Sequence, residues 1–259
     1  MAASVQRAAG GLGCVNVKGS NVEPATVATG AAGVASAVAN SVQYEGRKPA
    51  RQGSEQRRQA ILDAAMRIVV RDGVRGVRHR AVATEAGVPL SATTYYFKDI
   101  EDLLADSFAR YVERSAAHMA KLWSSSEEML RQLLAATDST PEARGRLADA
   151  IARMTADYVR KQLNTRRDYL MAEQAFRQEA LLTPRLAGLV LSHQQILHEG
   201  ACQMLRVLGS RCPEQDAQVL TALIGQMEYQ ALLAPASAKH GNEMLDILTR
   251  YMHLVLAAA

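Results

Sequence analysis

From residue 54 onward, apolar side chains return every three or four positions, the period of a helix with one buried face. Ile61, Leu62, Ala65, Ile68 and Val69 set such a stripe over residues 54–71, and Asp72-Gly73 stops it. Val82, Ala83 and Ala86 mark a short second helix. Gly87 ends it, because glycine enters the left-handed conformation just past a helix end without a Cβ clash. Ser91 is placed to cap a third helix over residues 92–97. Asp99, with Asp102 three residues on, is placed to cap a fourth that runs to residue 123. Leu104, Phe108, Tyr111, Ser115, Met119 and Leu122 line its face. A shorter helix follows over residues 127–136, then a turn over 137–141 with helix-start chemistry.

Leu147, Ile151, Met154 and Tyr158 give the next helix, ending near residue 164, and another spans 166–182. Thr183-Pro184 opens a long helix to residue 208, with Leu186, Leu189, His193, Ile196, Gly200 and Met204 on one side and Gly209 as its stop. Cys212-Pro213 opens one through Leu220, Leu223, Met227 and Ala231, which Pro235 breaks, and a last helix covers 242–256. No stretch alternates with the period of two of a strand, and no internal repeat is present. The pattern predicts an all-α protein: a three-helix head over residues 51–104 and a larger helical bundle over 105–259.

The first fifty residues do not share this pattern. They are rich in Ala, Gly, Val and Ser, with almost no large apolar side chains. Such a stretch cannot bury a core, and residues 1–50 are predicted to be a disordered, low-complexity tail. The apolar run over 26–39 comes late and is interrupted by glycine, so a secretion signal is not expected. Arg47, Lys48 and Arg51 read equally as a basic arm for phosphates or a minor groove and as a plain linker.

Composition adds limits. A hydrophobic content of 48% supports a substantial core. No apolar run approaches the ~20 residues of a membrane span. Cys14, Cys202 and Cys212 have no metal-ligand spacing and read as reduced thiols of a cytoplasmic protein, a Cys202–Cys212 redox pair being the minority reading. Charge is uneven. From Arg47 to Lys98, eleven Lys and Arg stand against four Asp and Glu, a net +7, whereas the whole chain carries only +4. A basic head on a mildly acidic body is the footprint of phosphate binding at one end.

Two short helices joined by a four-residue turn with Gly87 and Pro89 suit a helix-turn-helix, whose second helix enters the major groove of DNA. The stretch VRHRAVATEAGVPLSATTYYFKDIEDLL (residues 77–104), preceded by RRQAILDAAMRIVVRDGVRG (57–76), resembles the N-terminal domain of TetR-type transcription regulators. The likeness rests on order and spacing: amphipathic helix, Gly-containing loop, AxxAGV turn, aromatic-rich short helix. The remainder agrees with the family only in being long, helical and apolar. Three positions depart from the family pattern. Arg78 stands where Thr or Ser usually caps the second helix, Thr94 where a Tyr usually reaches the DNA backbone, and Ile100 where a Lys usually meets a phosphate. Lys98 is the candidate to take over that last contact.

Thr93, Thr94, Tyr95 and Tyr96 surround one short helix and cannot all face inward, whereas Phe97 is expected in the core. Thr93 and Thr94 are candidates for base edges or a thymine methyl, and Tyr95 and Tyr96 for phosphates or sugars. Packing of both tyrosines in the head is the alternative. Arg78, His79, Arg80, Ser91 and Lys98 complete the DNA-binding candidates. In the body, Trp123, Met154, Tyr158, Tyr169, Met171, Phe176 and His193 are either core or the wall of a ligand cavity. Spacing alone favours core, and the cavity comes from the resemblance. Leu186, Leu189, Leu220, Leu223 and Met227 are candidates for a dimer interface, with Ala187, Gly188, Gly200 and Ala201 small enough for close helix approach.

There is no G-x-S-x-G, no H-E-x-x-H and no Gly-rich phosphate loop, so no enzymatic activity, metal or cofactor is expected. The resemblance implies a cytoplasmic homodimer on double-stranded DNA, most often a repressor on a palindromic operator, released by a small-molecule effector. An architectural DNA-binding protein without a ligand, and a helical enzyme or carrier with a vestigial head, are the competing readings.

Overall fold

The computed structural model describes residues 31–47, 51–137, 140–234 and 241–257. Among the described residues there are ten α-helices, one 3-10 turn (Val74–Gly76) and no strand. The helices are α1 (Ala31–Ser41), α2 (Gln52–Asp72), α3 (His79–Ala86), α4 (Leu90–Tyr96), α5 (Ile100–Ala135), α6 (Pro141–Thr165), α7 (Arg167–Ala180), α8 (Pro184–Val207), α9 (Pro213–Leu233) and α10 (Gly241–Ala257).

Local chemistry sets most of these boundaries. Gly87 sits in the left-handed region at φ 65°, and the Val88 N–H returns to the Ala83 carbonyl at 3.0 Å, closing α3. The Asp99 carboxylate accepts the Asp102 N–H at 2.8 Å and caps α5. The Thr140 hydroxyl accepts the Ala143 N–H at 3.2 Å, with Pro141 opening α6. Gly209, at φ 83°, ends α8. Ser91 is not a cap: Pro89, with its φ fixed at −59°, precedes α4, and Ser91 lies inside the helix.

The two helices expected over 99–123 and 127–136 are one, the 36-residue α5. The serines at 124 and 125 are absorbed by back-bonding. Ser124 Oγ donates to the Ala120 carbonyl and Ser125 Oγ to the Lys121 carbonyl, satisfying hydroxyls that would otherwise compete with the backbone.

The larger difference lies before the head. Residues 31–41 form α1, which packs on α5 and α8 with Ala35 fully buried. Small side chains let helices approach closely, so a stretch poor in large apolar residues packs here against a surface the rest of the chain provides. Residues 1–30 and 48–50 lie outside the described residues.

Two cores fill the molecule. One joins α1–α4, the first half of α5, α7 and the start of α8 around Ile61, Leu62, Phe97, Phe108, Phe176 and Leu186. The other joins Leu130 of α5 with α6, the end of α8, α9 and α10 around Ile151, Val159, Leu205, Leu220 and Leu248. Cys202 is a free, buried thiol in the second core, its pKa pushed up to about 11 by burial. The Cys202–Cys212 pair is therefore not formed. No helix of the described residues is long and apolar enough to cross a membrane.

Candidate nucleic-acid interface and ligand cavity

Helix α4 has two faces. Thr93, Tyr96 and the following Phe97 are buried, while Ser91, Thr94, Tyr95 and Lys98 are exposed. Spacings of three and four residues put Ser91, Thr94 and Tyr95 on one side, and Lys98 follows just past the helix end. The structure thus divides the four residues expected together. Thr93, its hydroxyl donating to the Leu90 carbonyl at 2.8 Å, and Tyr96 belong to the head's core and cannot meet DNA in this conformation. Thr94 and Tyr95 face outward, Tyr95 at 55% exposure.

Arg78 and Arg80 are exposed around the start of α3, and His79 is half-buried with Nδ1 lacking a hydrogen-bond partner. Arg78 holds the N-cap position but makes no side-chain cap bond, leaving α3's first-turn amides uncapped by it. The basic footprint is narrower than the residue count implies. Arg58 is buried against Asp106, and Arg67 and Arg71 pair with Glu85, Arg71 also with Asp72. Arg51, Arg57, Arg75, Arg78, Arg80 and Lys98 are exposed and form no ion pair among the described residues.

Residues 42–47 form a strap across the head. Buried Asp106 of α5 accepts the N–H of Glu45 at 2.6 Å, the N–H of Gly46 at 3.0 Å and the Arg58 guanidinium. Burial raises the Asp106 carboxyl above its usual range, against the pull of those amides and Arg58. A Cβ at Gly46 would lie 2.7 Å from Asp106 Oδ2 and 2.8 Å from the Phe97 ring, so only glycine lets the backbone come this close. The Tyr44 hydroxyl donates to Glu113. The Arg47 N–H bonds the Tyr96 carbonyl at 2.9 Å, and its guanidinium lies 4.4 Å over the Tyr95 ring. Residues 42–47 are thus fastened to the end of α4 through Arg47, while Lys48 lies outside the described residues.

The body holds a cavity of about 640 Å³ between the two cores, bounded by α5, α6, α7, α8 and α9. Trp123, Met154 and Tyr158 line it, as three of the candidates require. The others are elsewhere. Phe176 is core, stacked on Phe108 with ring centroids 4.3 Å apart. Tyr169 carries the Arg166 guanidinium at 4.6 Å, and Met171 is exposed. His193 is buried behind the wall, its Nε2 2.9 Å from Ser115 Oγ and its Nδ1 3.7 Å from Glu173. Burial lowers its pKa and keeps the ring neutral at pH 7.

Polar residues of the wall have no counterpart among the sequence candidates: Glu173, Arg177, Gln194, His198, Thr221 and Glu228. Glu173 is buried and accepts the Tyr111 hydroxyl at 2.9 Å. Glu228 is mostly buried and has no hydrogen-bond or ion-pair partner among the described residues. Burial, then the nearby Glu173, pushes its pKa up to about 8. Burial also raises the Tyr158 phenol, whose hydroxyl accepts from Gln162 Nε2 at 3.1 Å. The only signal for these residues would have been polar side chains falling on otherwise inward-facing positions of three separate helices.

Of the dimer candidates, Leu186, Leu220 and Met227 are buried within their own chain and cannot form an interface. Leu189 and Leu223 are half-buried against the same cores. The apolar stripes of α8 and α9 serve the monomer. A second, outward set comprises Leu191 on α8 and Val219, Tyr229 and Leu233 on α9.

A short outward-facing helix behind a glycine turn, followed by one long helix that runs into a hollow helical body, has the arrangement of a helix-turn-helix head on a helical domain. Residues 61–106 match the family model of the bacterial regulatory proteins of the tetR family. Among solved structures, a transcriptional regulator from Rhodococcus sp. Rha1 is similar at 19% identity and a TM-score of 0.54, over 77% of this chain and 96% of that one. That likeness is one of fold. A TetR-family member from Streptomyces coelicolor A3 shares 28% identity at a TM-score of 0.49, over 76% and 98%. The multidrug binding protein EbrR, complexed with proflavin, shares 28% at 0.44, over 75% and 99%. No curated protein matches the chain.

Proposed function

We propose that the chain is a cytoplasmic, ligand-responsive repressor that binds a palindromic operator as a homodimer and leaves it when a small molecule fills the body. The observation that carries this reading is α5. Its start seats the head through Leu103, Leu104 and Phe108, and its middle walls the cavity through Met119, Leu122 and Trp123. At about 1.5 Å per residue this single helix is roughly 50 Å long, so a tilt set by a ligand reaches the head undiminished. The effect is a population shift: the ligand must favour the DNA-incompetent arrangement over the competent one. A cavity of this size speaks against an architectural protein without a ligand.

In this reading Thr94 and Ser91 meet base edges, Tyr95 and Lys98 meet the DNA backbone, and Arg51, Arg78 and Arg80 meet phosphates. Sequencing the genomic fragments the protein retains gives the operator. Affinity for it should fall linearly on a log–log plot against salt, by a slope of about 0.9 for each phosphate contact. A salt-independent affinity contradicts the proposed interface.

Thr94→Ala should relax preference at one or two base pairs, costing about 1–3 kcal/mol if the contact is direct. Arg51→Ala should weaken all sequences about equally. The opposite pattern on a panel of operator variants would remove α4 from the role of reader.

A further inference from the structure

We infer that the cavity is a site for an amphipathic organic cation, its charge met by Glu173 and Glu228 at the inner wall and its apolar body laid against Trp123. The inference rests on the regulator reading for its purpose, but its chemistry stands on the cavity alone.

Two carboxylates from different helices, α7 and α9, face one space whose remaining wall is mainly apolar. The hydroxyl that Glu173 accepts, from Tyr111, is neutral, and so is buried His193 beside it. Glu228 has no hydrogen-bond or ion-pair partner among the described residues. The cations in reach do not cancel this. Arg177 is exposed, its guanidinium 3.9 Å from where a Cβ on Gly225 would sit, and Arg166 stacks on Tyr169 outside the lining. A buried carboxylate without a partner is costly, and a ligand cation relieves that cost where water cannot follow.

The apolar wall is made for a flat or bulky hydrocarbon body. Gly200 of α8 lies directly behind Trp123, and a Cβ there would overlap the indole ring. Glycine therefore lets the ring lie back against α8 and leaves the cavity open. Met119, Met154 and Met204 give the wall polarizable, adaptable surface. The exposed indole face and the Tyr158 ring add attraction for a cation.

Protonation follows from the same geometry. The groups facing Glu228 are Glu173, Arg177, Arg166, and the Tyr158 and Tyr111 hydroxyls. With its pKa pushed up to about 8, Glu228 is largely protonated at neutral pH, and a bound cation favours its ionised form. Binding of a permanent cation should release a proton below that pH. Its affinity should rise with pH, by at most about tenfold per unit, and level off above about 8.

The test uses tetraphenylphosphonium and tetraphenylborate, which match in size and shape and differ in charge sign. Trp123 is the chain's single tryptophan, so its fluorescence reports occupancy directly. We expect the phosphonium to bind the wild-type protein at least about tenfold more tightly than the borate. Glu228→Gln should bring the two affinities together and abolish the rise with pH. Gly200→Ala should push the indole into the cavity and weaken both probes. Equal or tighter binding of the borate by the wild-type protein overturns the inference, as does a phosphonium affinity unchanged in Glu228→Gln. All readings are made without DNA, so a failure here is distinct from a failure to release an operator.

Discussion

Replacing Asp106 by alanine is expected to destabilise the folded protein by about 3–5 kcal/mol, the range for breaking a buried ion pair from one side. The variant leaves the Arg58 guanidinium, whose Nε already lacks a partner, with only the longer 3.7 Å pair to Glu55, and orphans the amides of Glu45 and Gly46. At a few degrees per kcal/mol the melting temperature should fall by roughly 10 °C. Circular dichroism melts of the variant give the number. A second variant separates charge from fold: Asp106→Leu combined with Arg58→Met removes both charges and should recover part of the loss. A melting temperature unmoved by Asp106→Ala would show that the strap does not sit on Asp106 in solution. Because the strap also holds Arg47 over Tyr95, the variant should weaken DNA binding beyond its effect on stability.

Val219→Glu is expected to give a monomer by analytical ultracentrifugation, with specific DNA binding lost by two orders of magnitude or more and the head still folded. Val219, Tyr229 and Leu233 recur along the outward side of α9 at 47%, 44% and 70% exposure, beside Leu191 of α8 at 64%. A two-fold axis along this face would pair each helix with its copy and bury them all. Two recognition helices reading one side of a duplex must stand about 34–36 Å apart, which one head cannot achieve. A buried, unpaired carboxylate would force the chains apart. Val219 is a cleaner probe than Leu223, which packs against its own core and would confound dissociation with unfolding. A Val219→Glu protein that remains dimeric and binds its operator normally would place the interface elsewhere.

The head was legible in the sequence because its signals are local. The Gly87 stop, the Asp99 cap and the apolar stripe of α2 each act within a few residues of themselves. What was not legible depends on partners distant in sequence. Residues 31–41 lack a stripe of large side chains, and only the surface of α5 and α8 shows that small ones suffice. A seven-residue helix is too short for its period to tell Thr93 from Thr94, or Tyr96 from Tyr95. In the body, Phe176 and Met154 have equivalent helical spacing, yet one fills a core and the other lines a void. Which of the two occurs depends on how α5, α7 and α8 cross. The carboxylates of Glu173 and Glu228 meet only because α7 and α9 converge, which no spacing within either helix reports.

The division between the two cores does not fall between head and body. It crosses α5 and α8 near their middles, and the cavity lies on it, with Met119 and Trp123 from one side and Leu130 and Ile151 from the other. The cooperative units of unfolding therefore cut across the functional ones. On heating, the two blocks are expected to loosen separately, and a ligand seated at the division would bind only when both are formed. The expected calorimetric signature of such a ligand is a merging of two transitions into one, the chain then melting as a single body.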